Sequence, residues 1–361
     1  MIPGNTSSLT GPAPAELAGA GPVTFAPTPS ICFTPFHVSV AAYSALLNAA
    51  LPTLDYGQEP PALYDPVRYV MELGGKRVRP LLALLGAGLF TDDVTPFVRP
   101  ALAVEVFHNF TLLHDDLMDA APLRRGRPTV HEHWNANTAI LSGDVMLVRA
   151  YELLADHVPD ALLRPLLKRF STVAAEVCEG QQLDMVFEAR TDVTVPEYLR
   201  MIELKTAVLL GFALELGARL AGADAASAEH LRRFGALVGV AFQLRDDLLD
   251  VYGDPATFGK QVGGDILAAK KTFLLLTVQQ QLAAAPRAEL AALLADAALP
   301  AADKVRRVTA LFDSVAIRTQ TEALIQRTYA EAVGHLDAVP VAEARKADLR
   351  RLTDELLDRA A

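Results

Sequence analysis

Cysteine is nearly missing from this chain of 361 residues, with Cys32 and Cys178 the two present. So few thiols argue against a disulfide framework or a cysteine-based zinc site, and both read as buried or incidental. Long apolar runs are missing too. Stretches such as "PLLALLGAGLF" fall well short of the roughly 18 to 20 residues that cross a bilayer, so stable membrane insertion is not expected. Residues 1–36 lack Lys and Arg and hold one acidic residue, Glu16, among Pro, Gly, Ser, Thr and Ala. They read as a disordered tail ahead of a domain over residues 37–361. A secretory signal needs a basic region followed by an apolar one, and the tail offers neither, which makes the cytoplasm the expected location. Cations are scarce overall, 33 Lys and Arg against 43 Asp and Glu, for a formal charge of −10. That balance disfavours nucleic acid and anionic membrane surfaces as partners. Period-two alternation, the mark of a half-buried strand, does not compete anywhere.

What the sequence has in abundance is apolar residues at helical spacing, within a hydrophobic share of 51%. "ALAVEVFHNFTLLHDDLMD", "TAILSGDVMLVRAYELLADH", "LLRPLLKRFSTVAAEVCEGQQLDMVFEA", "PEYLRMIELKTAVLLGFALELGARLAG" and "SAEHLRRFGALVGVAFQLRDDLLDVYG" each suit a helix of roughly 18 to 28 residues. Breaks are expected at "PLRRGRPT", "RTDVTVPE", "AGADAAS" and "YGDPATFGKQVGGD". From about Lys270 the pattern continues as Ala- and Leu-rich helices broken at "AAPRAE", "ALPAAD" and "AVPVAE". The expectation is an all-α protein, a single large antiparallel helical bundle around a deep central apolar cavity.

Two of these helices end in stacked carboxylates. In "HNFTLLHDDLMD", Asp115 and Asp119 are four apart and Asp116 and Asp119 three apart, which crowds all three onto adjacent turns of one face. Like charges so placed repel by a few tenths of a kcal/mol per pair on an exposed helix, so the cluster calls for a positive partner. One such cluster reads equally well as a solvated helix end. A second, Asp246, Asp247 and Asp250 in "FQLRDDLLDVYGD", repeats the spacing after another apolar run. The scarce cations are bunched: Lys76, Arg77 and Arg79 in "GGKRVRP", Arg124, Arg125 and Arg127 in "RRGRP", then Lys205, Lys260, Lys270 and Lys271. Carboxylates do not hold a diphosphate unaided. Mg²⁺ bridges the two, because it takes oxygen ligands from one or two carboxylates and from substrate phosphates. The pattern suggests a diphosphate–magnesium site at the mouth of an apolar cavity. His131 and His133 in "VHEHW" read as structural, since residues two apart diverge on a helix. His114 fits either helix packing or support for Asp115.

From about residue 40 to the C-terminus the chain resembles the trans-isoprenyl diphosphate synthases of the polyprenyl synthetase family. The likeness rests on the ordered motifs "GGKRVRP", "LLHDDLMD", "LRRGRPTVH", "AILSGDVML", "GQQLD", "LKTAVLL", "FQLRDDLLDVYGD" and "GKQVGGDILAAKKT". The resemblance implies a Mg²⁺-dependent prenyltransferase that joins isopentenyl diphosphate head-to-tail to an allylic diphosphate (dimethylallyl, geranyl or farnesyl) and releases diphosphate. It also implies a homodimer.

By that resemblance Asp115 and Asp119 hold two Mg²⁺ ions and Asp246 a third, with Asp116, Asp247 and Asp250 in support. Arg124, Lys205, Lys260 and Lys270 grip the allylic diphosphate, while Lys76, Arg79, His108 and Arg125 hold that of isopentenyl diphosphate. Thr206 and Gln243 lie beside the reacting carbons. Without that context His108 reads as a core histidine. Ala269 stands where a glycine commonly precedes the last lysine motif, which leaves the choice between Lys270 and Lys271 open. The loop "YGDPATFGKQVGGD" is expected to act as a lid carrying Lys260. Phe110, five residues before Asp115 and so about 7.5 Å along the axis, is the expected floor for the growing chain, with the small Thr111 beside it. An aromatic there, with no insertion in the first motif, is similar to the archaeal-type geranylgeranyl diphosphate synthases. A twenty-carbon product is therefore expected over a fifteen-carbon one. A class I terpene cyclase shares the fold and the first motif, but has no need of "GGKRVRP" or a second aspartate repeat. A non-catalytic partner subunit tends to lose its aspartates, and all six are present.

Overall fold

The computed structural model describes residues 40–254 and 262–358. The 1–36 tail, Lys260 and the centre of the expected lid loop lie outside the described residues. Long helices dominate. In chain order the early helices are α1 (Val40–Ala50), α2 (Pro61–Glu72), α3 (Val78–Gly88), α4 (Val98–Met118), α5 (Val130–His133), α6 (Ala136–His157) and α7 (Asp160–Ala189). A surface helix shows one apolar stripe, whereas "ALAVEVFHNF" is apolar on nearly every side and α4 is buried accordingly. Even Glu105 and Asn109 are buried on it. Glu105 is neutralised by Arg77 at 2.6 Å and accepts from Asn109 Nδ2 at 3.0 Å.

The central layer continues with α8 (Val195–Ile202), α9 (Val208–Leu220) and α10 (Ala225–Tyr252). Packing runs α4 on α6, α3 on α9 and α9 on α10, with α7 against α6 and α9. The starts of these helices are written in the sequence. Asn135 caps α6, Asp224 caps α10, and Thr194 with Glu197 forms a capping box on α8, each side chain satisfying a backbone N–H that the first turn leaves open. The chain then closes with α11 (Gly264–Leu267), α12 (Phe273–Gln281), α13 (Ala284–Ala295), α14 (Ala301–Asp313), α15 (Ile317–Asp337) and α16 (Glu343–Leu357).

The all-α bundle is as expected, with three local departures. The segment expected as one helix over "PEYLRMIELKTAVLLGFALELGARLAG" contains a π turn at Glu203–Ala207, between α8 and α9. Glycines on both neighbours admit this wider backbone. A methyl on Gly180 of α7 would lie 2.2 Å from the Lys205 amide nitrogen, and one on Gly239 of α10 would lie 2.6 Å from Ala207 Cα. The second departure is a hairpin, β1 (Leu123–Arg124) antiparallel to β2 (Arg127–Pro128), closed by Arg125 at φ 53° and Gly126 at φ 78°. Two left-handed residues in a two-residue turn match the twist of the strands, which are too short to show alternation. Thirdly, the break expected within "AAPRAE" comes just before it, since Pro286 sits in the first turn of α13 where its missing N–H does no harm.

Candidate active site

The C-terminal end of α4 delivers the first acidic cluster. Asp116 is buried, and Arg124 of the hairpin grips it, with Nε 2.7 Å from both carboxylate oxygens and Nη2 2.5 Å from Oδ1. Burial pushes the Asp116 carboxyl up, and Arg124 pulls it part of the way back. With both oxygens engaged, Asp116 anchors the hairpin. Asp115 and Asp119 remain turned outward, and Asp119 is raised by partial burial and by the neighbouring Asp115 charge.

Lys205, in the π turn, reaches across to this cluster. Its Nζ lies 3.1 Å from Asp115 Oδ1 and 2.7 Å from Asp184 Oδ2 on α7. Burial works against the ammonium, but the two carboxylates outweigh it and raise the Lys205 pKa. Lys270 behaves in the same way: burial opposes its charge, and Asp184, Asp265, Asp247 and Asp115 overcome it. These four carboxylates come from different parts of the chain, so the two acidic clusters and both lysines share one electrostatic site.

The second cluster is differently built. Asp247 is buried, accepting from the Tyr198 hydroxyl and, at 3.0 Å, from Gln243 Nε2. Asp250 Oδ2 accepts the Asp265 amide at 2.8 Å, fixing the "GGD" loop to α10. Burial and the Asp247 charge raise the Asp265 carboxyl in turn. Asp246 is half-buried on the same turn.

A second group of cations gathers beside the first. Arg79 Nη1 lies 3.0 Å from His108 Nε2. A guanidinium only donates, so Nε2 is the acceptor and the proton sits on Nδ1. Burial, then Arg79, Arg125, Arg124 and Arg77, hold the His108 pKa well below its usual value. Burial brings Arg79 down to about 10. Arg125 donates to the Gly74 carbonyl, its guanidinium filling the space a side chain on Gly75 would take, and Lys76 is exposed on that same loop. The "GGKR" and "RRGR" loops thus meet around a neutral histidine.

Between the two groups opens a cavity of about 320 Å³. Asp115, Lys205, Arg79 and His108 line it together with Thr206, Thr111, Phe110, Val177, Met185 and Leu209, so its wall runs from charged to apolar. Phe110 is backed by rings, Phe107 at 5.5 Å and His114 edge-on at 4.9 Å, with Phe170 5.1 Å beyond Phe107. His114 also bonds the Ile140 carbonyl at 3.1 Å, so it packs α4 on α6. The other histidine pair separates: His133 stacks on Tyr69, and His131 meets Thr129.

The sequence from Pro60 to Phe312 matches the family model described as Polyprenyl synthetase. The chain belongs to the polyprenyl synthetase family. It is a prenyltransferase. A geranylgeranyl pyrophosphate synthase of Geoglobus acetivorans is 41% identical over 233 residues, 64% of this chain and 72% of that one. A geranylfarnesyl diphosphate synthase of Natronomonas pharaonis is 38% identical over 260 residues, 67% of this chain and 76% of that one. Among solved structures, a geranylgeranyl pyrophosphate synthase superposes with a TM-score of 0.84 at 42% identity, covering 90% of this chain and 99% of that one.

Of the site residues expected in this polyprenyl synthetase, Asp115, Arg79, His108, Phe110, Thr111, Lys205 and Thr206 line the cavity together. Arg124 sits on Asp116, as the partner that makes a buried carboxylate tolerable, and its Nη2 also lies 3.7 Å from Asp115 Oδ2 on the cavity wall. Three residues went unassigned from sequence: Asp184, Tyr198 and Asp265. Asp184 closes "GQQLD" and Asp265 closes "VGGD", so each lay within a quoted motif, but an isolated acid carries no spacing signal. Tyr198 had none at all.

Proposed function

We propose that the protein elongates an allylic diphosphate with isopentenyl diphosphate and delivers a short-chain trans-prenyl diphosphate, of twenty carbons in the first instance. The observation that carries this reading is the shared field around Lys205 and Lys270. Lys205 and Asp115 stand on the wall of a cavity that is otherwise largely apolar, Lys205 bonds Asp115 and Asp184, and the charges of Asp184, Asp115 and Asp247 also act on Lys270. A diphosphate at the mouth and a hydrocarbon tail in the cavity satisfy both ends at once.

Asp115, Asp119 and Asp246 offer only carboxylate oxygens, the donor set a hard divalent cation takes. Among the described residues no three His, Cys, Asp or Glu side chains converge into a cage. Asp115, Asp119 and Asp246 would hold Mg²⁺, which characteristically completes its oxygen ligands from substrate phosphate and water. The chemistry such an ion would supply is neutralisation of the charge that develops on the departing diphosphate. Lys205 and Lys270 add to that stabilisation from the protein side, as fixed charges aimed at the leaving group. Arg79, Arg125 and Lys76 hold the second diphosphate beside neutral His108. Thr206 lines the cavity, and the resemblance puts Gln243 beside it at the reacting carbons, both with oxygens too weak as nucleophiles to trap a cation. The apolar wall keeps water from the reacting centre.

Phe110 floors the cavity and sets the twenty-carbon limit. Homodimer formation is supported by exposed large apolar side chains, Ile140, Leu141 and Val148 on α6 and Val186 on α7, that a second copy would cover. The test is product analysis of the purified protein with Mg²⁺, labelled isopentenyl diphosphate, and dimethylallyl, geranyl or farnesyl diphosphate separately. A linear twenty-carbon diphosphate supports the reading, fifteen or twenty-five carbons overturns the floor, and no elongation from any starter overturns the reaction.

A further inference from the structure

The second acidic cluster contains a carboxylate that the proposed chemistry does not use directly. Asp247 is 4% exposed, and each of its oxygens has a donor from the protein. One donor is Gln243, a turn earlier on α10. The other is Tyr198, 49 residues away on α8. Tyr198 is itself 1% exposed, its ring fixed in an apolar cluster with Phe187, Leu244, Leu248 and Ile266. The hydroxyl therefore has one place to be.

The consequence reaches Gln243. An amide has a donating end and an accepting end, and a carboxylate only accepts. Asp247 therefore draws the NH₂ of Gln243 toward itself at 3.0 Å and turns Oε1 the other way. We infer that Tyr198 is a positioning residue for prenyl transfer: by holding Asp247 in place it decides which end of the Gln243 amide faces the reacting carbons. This rests on the functional reading above, in which Gln243 stands beside those carbons. The oxygen end carries partial negative charge and stabilises an electron-poor allylic carbon. The NH₂ end carries the opposite sign and opposes its formation. Removing the Tyr198 hydroxyl leaves one oxygen of a buried carboxylate without its donor. Asp247 then reorients to recover a partner, and the Gln243 amide loses its reference.

The experiment is a double-mutant cycle in the full chain with Tyr198→Phe and Gln243→Leu, read by steady-state elongation against each diphosphate. Tyr198→Phe is expected to lower kcat by about ten- to hundredfold, with both KM values within about threefold of the parent. In the Gln243→Leu background the same change is expected to cost less than about twofold, because the amide it orients is gone. Three results overturn the inference: kcat of Tyr198→Phe within twofold of the parent, a loss that persists in full without Gln243, or a loss carried by KM. Circular dichroism melts accompany each variant. If Tyr198→Phe melts below the assay temperature, Asp247→Asn takes its place, since an asparagine there can face Gln243 with either end, and the same outcomes apply. A parent protein that elongates nothing overturns the functional reading and this inference together, whereas an active parent with an indifferent Tyr198→Phe overturns this inference alone.

Discussion

Lys205 Nζ lies 2.7 Å from Asp184 Oδ2, closer than its 3.1 Å contact with Asp115 in the aspartate cluster. Asp184 thus holds the lysine between two carboxylates from two helices and keeps it from collapsing onto either one. An ammonium shared in this way stays poised at the cavity mouth, where the resemblance assigns it to the allylic diphosphate.

Asp184→Asn keeps the shape and removes one of the two charges, so Lys205 is expected to swing wholly to Asp115. kcat/KM for the allylic substrate should fall by about tenfold or more, with KM for isopentenyl diphosphate within about threefold. Steady-state kinetics with each substrate varied in turn checks this. Equal losses for both substrates would take Lys205 off the allylic side.

Phe110→Ala should lengthen the product and do so by a limited amount. Phe107 and Phe170 stand behind the ring, both fully buried, so truncation opens one ring's depth before the next aromatic layer. The expected shift is about one isoprene unit, seen by chromatography of labelled products. A Phe→Ala change in a closed core costs about 3–5 kcal/mol. Phe110 borders a cavity on one side, so the loss in a denaturant melt should fall at or below that range. An unchanged product length would remove Phe110 as the floor.

His108 gives the fold a pH dependence whose sign is fixed. In the unfolded chain a histidine titrates near 6.5, whereas in the fold burial and four arginines hold it well below that. As the pH drops below about 6.5, the unfolded state takes up a proton that the folded state refuses. Stability present above that value is therefore lost progressively toward the folded pKa, by up to about 1.4 kcal/mol per pH unit. His108→Gln keeps an acceptor for Arg79 and has nothing to titrate. Denaturant melts at pH 7 and pH 5 should show a smaller fall for the variant than for the parent. Identical falls would mean that His108 is charged in the fold.

The bundle and the aspartates were legible in the sequence for a common reason: both are periodic. Helical spacing marked α4, α7 and α10 nearly to their ends, and the same three- and four-residue spacing stacked Asp115 with Asp119 and Asp246 with Asp250. Contacts between helices have no such trace. Lys205 on Asp184 and Tyr198 on Asp247 each join residues whose meeting depends on how helices cross, whereas Arg124 reaches Asp116 through the hairpin that follows α4. The break at Ser314–Ala316 carries no Gly or Pro, with Ala316 left-handed at φ 51°, and passed unseen. The π turn was hidden too, because an extra residue in a helix buried on most sides barely disturbs its apolar pattern.

That π turn leads to the last expectation. Replacing a glycine inside a helix by alanine ordinarily stabilises a protein by about 0.5–1 kcal/mol. Gly334 of α15, with nothing within 4 Å of a built Cβ, should follow that rule and leave activity unchanged. Gly180 should invert it, since the same methyl would sit 2.2 Å from the Lys205 nitrogen and 2.6 Å from its Cα. Neither backbone has a flexible end to yield, so α7 and the π turn must part. Gly180→Ala is expected to lose about 1–3 kcal/mol in a thermal or denaturant melt. Its kcat should fall more than about tenfold, because Lys205 and Thr206 ride on the displaced turn. With Gly334→Ala as the control, a stabilised and fully active Gly180→Ala protein would show that the π turn does not depend on the close approach of α7.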